Sequence, residues 1–325
     1  MKRRDFMVVA MLGAASAMAY AQQPTKLWRI GYLGDGTPAA RGGDLIDFRA
    51  GLAELGYIEG RNIVLEVRWT DGVNERRTIL ANELARLNVD VIVTHGAPAA
   101  LAAKAASRTI PIVIAAVADI LNTGLVSSLA RPGGNVTGMS DHVTEVAAKN
   151  VELLKEILPN VQFAGLIWEG DNPGAQLTAD AMRAAAQRLK LRLQLAAVTS
   201  IEQLERAMES VAAARAGAVI VVQSPLTVGS RTRIAQLALQ KQLPMIAGSV
   251  QFTEAGALVS YGSDHKNRYR HAAVFVDKIL KGTKPSDIPV EQPTKYELII
   301  NIKTAKAVGI VIPPSVLLRA DRTIN

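Results

Sequence analysis

The chain has 325 residues, 49% of them hydrophobic, with 37 Lys and Arg against 29 Asp and Glu and no cysteine. That composition excludes a disordered protein, a disulfide scaffold, a thiol nucleophile and any thiolate metal site. Beyond a basic head at Lys2, Arg3 and Arg4, the residues behind the formal charge of +8 are scattered singly, with no basic run interleaved with aromatics, which argues against nucleic acid and fits a surface that attracts small anions.

Lys2, Arg3 and Arg4 head a weakly apolar stretch from Phe6 to Ala17, and Ala19-Tyr20-Ala21 offers small residues for cleavage before Gln22. This is the layout of an export signal. The stretch is too short and too rich in Ala and Gly to cross a bilayer, which takes about 20 apolar residues. The paired arginines followed by Asp5-Phe6-Met7 point to the twin-arginine route. With no Cys to carry a lipid, a soluble periplasmic protein cleaved after Ala21 is expected.

The remainder, long enough for two ordinary domains, alternates short apolar runs with longer amphipathic ones, the pattern of parallel sheets covered by helices. Leu27 to Leu33 reads as a strand and Asp44 to Leu55 as a helix, with Leu45, Phe48, Leu52 and Leu55 on one face. Strands follow at Asn62 to Trp69, Val89 to Thr94 and Ile112 to Val117, with helices at Glu75 to Leu87 and Ala97 to Ala106. After the Arg131-Pro-Gly-Gly134 turn the rhythm restarts. Strands at Phe163 to Trp168, Leu191 to Ala197, Ala218 to Val222 and Pro244 to Ile246 alternate with helices at Lys149 to Leu158, Gln176 to Leu189 and Ile234 to Lys241. Ser200 and Gln203 form a capping-box pattern ahead of Ile201, Leu204, Met208 and Val211. A helix from Asn267 to Lys281, a proline-marked extended segment, a strand at Glu297 to Asn301 and a last short helix are too few for a third domain. They are expected to pass back between two α/β lobes: 22–140 with 261–290, and 141–260 with 291–325.

Gly31, Gly34 and Gly36 end the first strand as G-x-x-G-x-G, and Pro38 with Gly42-Gly43 delays the helix, which argues against a dinucleotide site. His95, His142, His265 and His271 show no metal-ligand spacing, and G-x-S-x-G is absent. No cofactor and no catalytic residue are expected.

What stands out is polar residues just past strands, where open parallel sheets bind ligands. In the first series these are Tyr32 and Asp35, then His95, Gly96 and Ala97 at the opening of a helix, then Asp119. Ser140 and Asp141 lie at the first expected crossing between lobes, Tyr261 and Asp264 at the return. The second series adds Trp168, Ser224 and Ser249. Asp119, Asp141 or Asp264 can hold a ligand ammonium; Tyr32, Trp69, Trp168 or Tyr261 can stack on an apolar portion. The free N–H groups of the helix at Ala97 favour a carboxylate.

The runs GLAELGYIEGRNIVLEVRW, VDVIVTHGAPAALAAK, TIPIVIAAVAD and LARPGGNVTG, and the close KILKGTKPSDIPVEQPTKYELIINIKTAKAVGIVIPPSVL, resemble the periplasmic substrate-binding proteins of ABC importers of the tryptophan/tyrosine transport type. The likeness spans about Trp28 to Leu318. It implies a type I periplasmic-binding-protein fold, two doubly wound parallel-sheet α/β lobes joined by three crossing strands and closing on ligand. It also implies a monomer that captures an amino acid or small carboxylate, performs no chemistry, and delivers its ligand to an ABC permease in the inner membrane. Asp119 matches the aspartate of the family's T-D-P motif. A periplasmic sensor that shows its closed form to a membrane receptor shares the fold and differs only in partner. An exported enzyme is the remote alternative, and the motifs it needs are missing.

Overall fold

The computed structural model describes residues 26–263 and 265–325; the expected export signal and Asp264 lie outside the described residues. The first sheet contains β1 (Trp28–Gly34), β2 (Ile63–Trp69), β3 (Val91–Thr94), β4 (Ile112–Ala118) and β5 (Val136–Asp141) in the order β2-β1-β3-β4-β5. All its pairs are parallel. The second sheet contains β6 (Phe163–Glu169), β7 (Arg192–Val198), β8 (Val219–Val221), β9 (Met245–Ala247), β10 (Val259–Ser263), β11 (Tyr296–Asn301) and β12 (Arg322–Ile324). Its order is β12-β11-β10-β9-β8-β6-β7, so β7-β6-β8-β9-β10 repeats the winding of the first sheet. β11 then joins antiparallel to β10.

Strands buried on both faces need helices on both sides. On one face of the first sheet, α1 (Pro38–Glu54) and α10 (His265–Leu280) bury Phe48, Leu52, Tyr269 and Phe275 against Ile30, Tyr32 and Val93. On the other, α2 (Arg76–Arg86) and α3 (Ala97–Ala106) bury Leu84 and Ala100 against Ile92 and Ile114. The second sheet is covered on one side by α4 (Val143–Ile157) and α5 (Pro173–Arg188), with the short α11 (Ile302–Ala307) and α12 (Pro314–Leu317). On its other side lie α6 (Ile201–Ala213), α8 (Arg231–Gln240) and α9 (Val250–Ala255), while α7 (Pro225–Gly229) is one turn after β8.

Three local features depart from the sequence reading. Helix α1 starts at Pro38, not Asp44, and runs through Gly42-Gly43. Thr37 caps it by accepting from Ala40 N, and the buried Arg41–Asp44 ion pair at 2.8 Å anchors its first turns. Those contacts outweigh the cost of two helical glycines, about 1 kcal/mol each. The Ser200 hydroxyl accepts from Gln203 N at 3.3 Å, but the Gln203 amide oxygen accepts from Thr199 N, one residue earlier than a capping box requires. Residues 261–263 pair within the second sheet rather than joining the first lobe. Gly262 there lies so near Gly248 that a Cβ would sit 1.8 Å from the Gly248 carbonyl oxygen, an approach only glycine permits.

The chain therefore passes from one sheet's layers to the other's after β5, between β10 and α10, and before β11. At the last of these, Glu291 N donates to Gly138 O (2.9 Å) and Ser140 N to Glu291 O (3.0 Å), which fastens the returning segment to β5.

Candidate ligand-binding site

The carboxyl ends of both sheets meet across a cavity of about 100 Å3 whose walls come from both lobes. The first lobe supplies Arg41 from α1, His95 to Ala97 after β3, Asp141 at the end of β5, and Arg268 and Tyr269 from α10. The second supplies Val143, Val146 and Asn150 from α4, Ala175, Thr178 and Met182 from α5, and Gln223 to Pro225 after β8.

Two ion pairs, one buried and one half-buried, dominate the polar surface. The Arg41 guanidinium holds Asp44 at 2.8 Å and donates to the Tyr269 hydroxyl at 2.7 Å. Burial opposes its charge, but Tyr269 and Asp44 outweigh burial and hold Arg41 above the ordinary arginine value. Burial likewise raises the Tyr269 and Tyr32 phenols, so both stay neutral. Arg268 donates to both Asp141 oxygens, at 2.9 and 2.7 Å, and the Ser263 hydroxyl donates to Asp141 Oδ1 at 3.1 Å. This second cluster ties the end of β5 to the end of β10, where two of the lobe crossings run side by side.

Helix ends complete the wall. Gly96 at φ +74° precedes α3 and His142 precedes α4, and no side chain caps either helix. By contrast, the Asn172 side chain accepts from Gly174 N and Ala175 N and closes the start of α5. His95 Nε2 lies 3.1 Å from the Asp35 carbonyl oxygen, so that nitrogen carries the proton and donates.

The lobes are in contact around the cavity. Arg77 of α2 reaches Glu169 of β6 at 3.2 Å, Asn74 donates to Asp171 at 2.6 Å, and Arg231 donates to the Ala40 carbonyl at 3.0 Å. A Cβ on Gly96 would lie 3.0 Å from Pro225 across the cleft. The conformation is closed.

Of the residues expected at the site, His95, Gly96, Ala97, Asp141 and Ser224 line the cavity. The others described do not. Tyr32 is fully buried in the first-lobe core, and Trp168 is buried in the second-lobe core with its Nε1 donating to Gln176 at 2.9 Å. Asp35 is held by Arg77 at 2.9 Å and accepts from Thr70. Asp119 turns its carboxylate to Asn122 N (3.0 Å) and the Asn122 side chain, closing the turn after β4. Ser140 accepts from Ile120 N, and Ser249 caps α9 by accepting from Gln251 N. Tyr261 stacks on Tyr296, with 5.9 Å between ring centres, and Trp69 covers Gly34. Asp264 lies outside the described residues.

The sequence reading missed Arg41, Asn150, Arg268 and Tyr269. Arg41 and Asp44 share the α1 face of Leu45 and Phe48, and Asn150 interrupts the apolar α4 stripe of Ala147, Val151 and Leu154. Polar side chains on a helix's buried face were the available signal.

Comparison with known proteins agrees with this geometry. A conserved domain protein from Vibrio cholerae O1 biovar El Tor is 28% identical with a TM-score of 0.86, covering 92% of this chain and all of that one. The ABC domain from Streptococcus pneumonia in complex with L-Trp is 26% identical, with the same TM-score and coverage. The ligand-free, open structure of CD0873, a substrate binding protein with adhesive properties from Clostridium difficile, is 25% identical with equal coverage but a TM-score of 0.65. Nearly equal identity with unequal superposition is what closure of the lobes produces, and this chain superposes on the ligand-bound form. A tyrosine-binding protein from Clostridioides difficile strain R20291 is 28% identical over 263 residues, 80% of this chain and 74% of that protein. The last three are described by what they bind, not by a reaction. The family model for ABC transporter substrate binding proteins matches residues 34–324, and the chain belongs to that family.

Proposed function

We propose that the protein is exported, captures an amino acid or small carboxylate in the interlobe cavity, and delivers it to an ABC permease of the inner membrane. The observation that carries this reading is a cavity with walls from both lobes, flanked by contacts that exist only when the lobes meet. A ligand touching both walls binds the closed form better than the open one, and that difference in affinity drives closure. Complexed L-Trp in one relative and the tyrosine-binding name of another support an acid of this kind. His95, Gly96, Ala97, Asp141 and Ser224 are proposed contacts, joined by Arg41, Asn150, Arg268 and Tyr269. Lobe boundaries are proposed near 141, 264 and 291.

Delivery from the periplasm rests on the charged head at Lys2 to Arg4 and the cleavage site after Ala21. No described helix is long and apolar enough to cross a membrane. The test is native mass spectrometry of protein purified from periplasm, followed by small-angle scattering with and without the molecule found. The mature chain should begin at Gln22 and become more compact on binding. At a hundredfold excess of ligand over Kd, stability should rise by about 2.7 kcal/mol. Tight binding without compaction would refute the closure mechanism.

A further inference from the structure

We propose that the cavity selects a monocarboxylate anion without an α-ammonium group, and discriminates against the zwitterionic amino acid of the same shape. The inference rests on the reading of the cavity as the ligand site and narrows the ligand class it takes.

An ammonium buried between closed lobes needs an anionic partner, because an uncompensated buried charge is strongly unfavourable. Among the described lining residues Asp141 is the one carboxylate, and the second lobe contributes none. Both Asp141 oxygens already accept from Arg268, and one also accepts from Ser263. The other aspartate the sequence offered, Asp119, is turned to Asn122. Arg268 thus neutralises the one described lining carboxylate before any ammonium arrives.

An anion finds the opposite situation. Arg41 and Arg268 both line the cavity and each is only 5% exposed, two cations beside the single described lining carboxylate, and the buried Nε–H of each has no hydrogen-bond acceptor. An oxyanion that either guanidinium turns to meet supplies an acceptor in a charge-assisted bond. The two uncapped helices at the cavity, ten-residue α3 and fifteen-residue α4, add free backbone N–H groups and positive dipole ends, one from each lobe. Between these poles the wall mixes Val143, Val146, Met182 and Val228 with the neutral polar side chains of Asn150, Thr178 and Gln223, with no described carboxylate or cation from the second lobe to hold a second charge. One anionic head and an uncharged body fit that arrangement.

The experiment is calorimetric titration of the ligand-stripped mature protein with pairs that differ only in the amino group: leucine and 4-methylpentanoate, phenylalanine and 3-phenylpropanoate, tyrosine and 3-(4-hydroxyphenyl)propanoate, tryptophan and indole-3-propanoate. The desamino acid of a pair should bind tighter by about tenfold or more. Equal or reversed affinities overturn the proposal. So does silence from all eight compounds, whereas the transport reading stands or falls separately on whether a co-purified molecule closes the lobes. Two variants sharpen the test. Arg268→Gln leaves Asp141 without its cation and should move the ratio toward the amino acid by about tenfold. Asp141→Asn releases Arg268 and should raise monocarboxylate affinity; a loss of that affinity at unchanged melting temperature overturns the proposal even if Arg268→Gln fails to fold.

Discussion

The Arg77 guanidinium of the first lobe donates to the Glu169 carboxylate of the second across 3.2 Å, and Glu169 is wholly buried. The same guanidinium holds Asp35 of its own lobe at 2.9 Å. Glu169 also accepts from Leu226 N at 3.3 Å and the Asn172 side chain at 3.4 Å. One carboxylate thus joins β6, the start of α5, the start of α7 and the opposite lobe. Opening the cleft takes the cation from Glu169 but leaves Arg77 its partner Asp35, so the pair reports closure.

Glu169 gives a pH signature. Burial raises its carboxyl above the ordinary 4.5, outweighing the help of Ser224 and Arg77. A carboxyl raised in the folded state contributes stability that is fully present below the unfolded value and is lost as pH rises through the folded value. Gln mimics the protonated form and escapes that loss. The stability of Glu169→Gln relative to the parent should therefore increase between roughly pH 4 and pH 7, read from paired thermal melts. A flat or falling difference would show that the carboxylate is favoured in the fold.

Gly96 is predicted to tolerate no side chain. Its φ of +74° and ψ of 154° belong to a region nearly confined to glycine, and a Cβ would meet Pro225 at 3.0 Å. Gly96→Ala should cost about 1–3 kcal/mol from backbone strain. The Pro225 contact acts only on the closed form, so ligand affinity should fall further than melting temperature alone predicts. Calorimetry beside thermal denaturation separates the two effects.

Asp119 is predicted to be structural. Its φ of +46° is a conformation Asn also accepts, and its carboxylate is used by Asn122. Asp119→Asn should keep both stability and affinity, and Asp119→Ala should lose about 1 kcal/mol of stability with affinity kept. A binding defect in Asp119→Asn would return this residue to the site.

Asn150 binds two elements together, its amide donating to Val146 O and Tyr261 O, each at 2.9 Å. Asn150→Ala leaves the Tyr261 carbonyl without that donor and should destabilise by about 1–3 kcal/mol in a denaturant titration. An unchanged midpoint would mean that β10 is held by its strand partners alone.

The fold was legible because both lobes use the same alternation of short buried strands and amphipathic helices, which one sequence displays without a partner. The strands at 136–141 and 259–263 were not read as strands. Each carries a glycine, Gly138 or Gly262, whose role is a backbone approach to a distant segment, and Tyr261-Gly262-Ser263 looks like a loop when β9 and β11 are unseen. The sheet edge facing the cavity was also legible, since His95, Gly96, Ala97, Asp141 and Ser224 follow directly from the strand ends. The remainder depended on pairings across the chain. Arg41 meets Tyr269 from 228 residues away, and Arg268 meets Asp141 from 127. The aromatics expected to stack on ligand went instead to the cores, where their large apolar area is better buried.

The first sheet draws its cover from opposite ends of the chain. Gly51 of α1 lies so near α10 that a Cβ would be 2.3 Å from the Arg270 carbonyl oxygen, and Tyr269, Phe275 and Val276 complete the core begun by Ile30, Tyr32 and Phe48. During synthesis from the N-terminus, that apolar face stays half uncovered until residues 265–280 have left the ribosome. By then the strands β6 to β10 of the other lobe have all been made. The N-terminal sheet thus gains no head start from being made first, and its folding is tied to the arrival of nearly the whole chain rather than to domain-by-domain emergence.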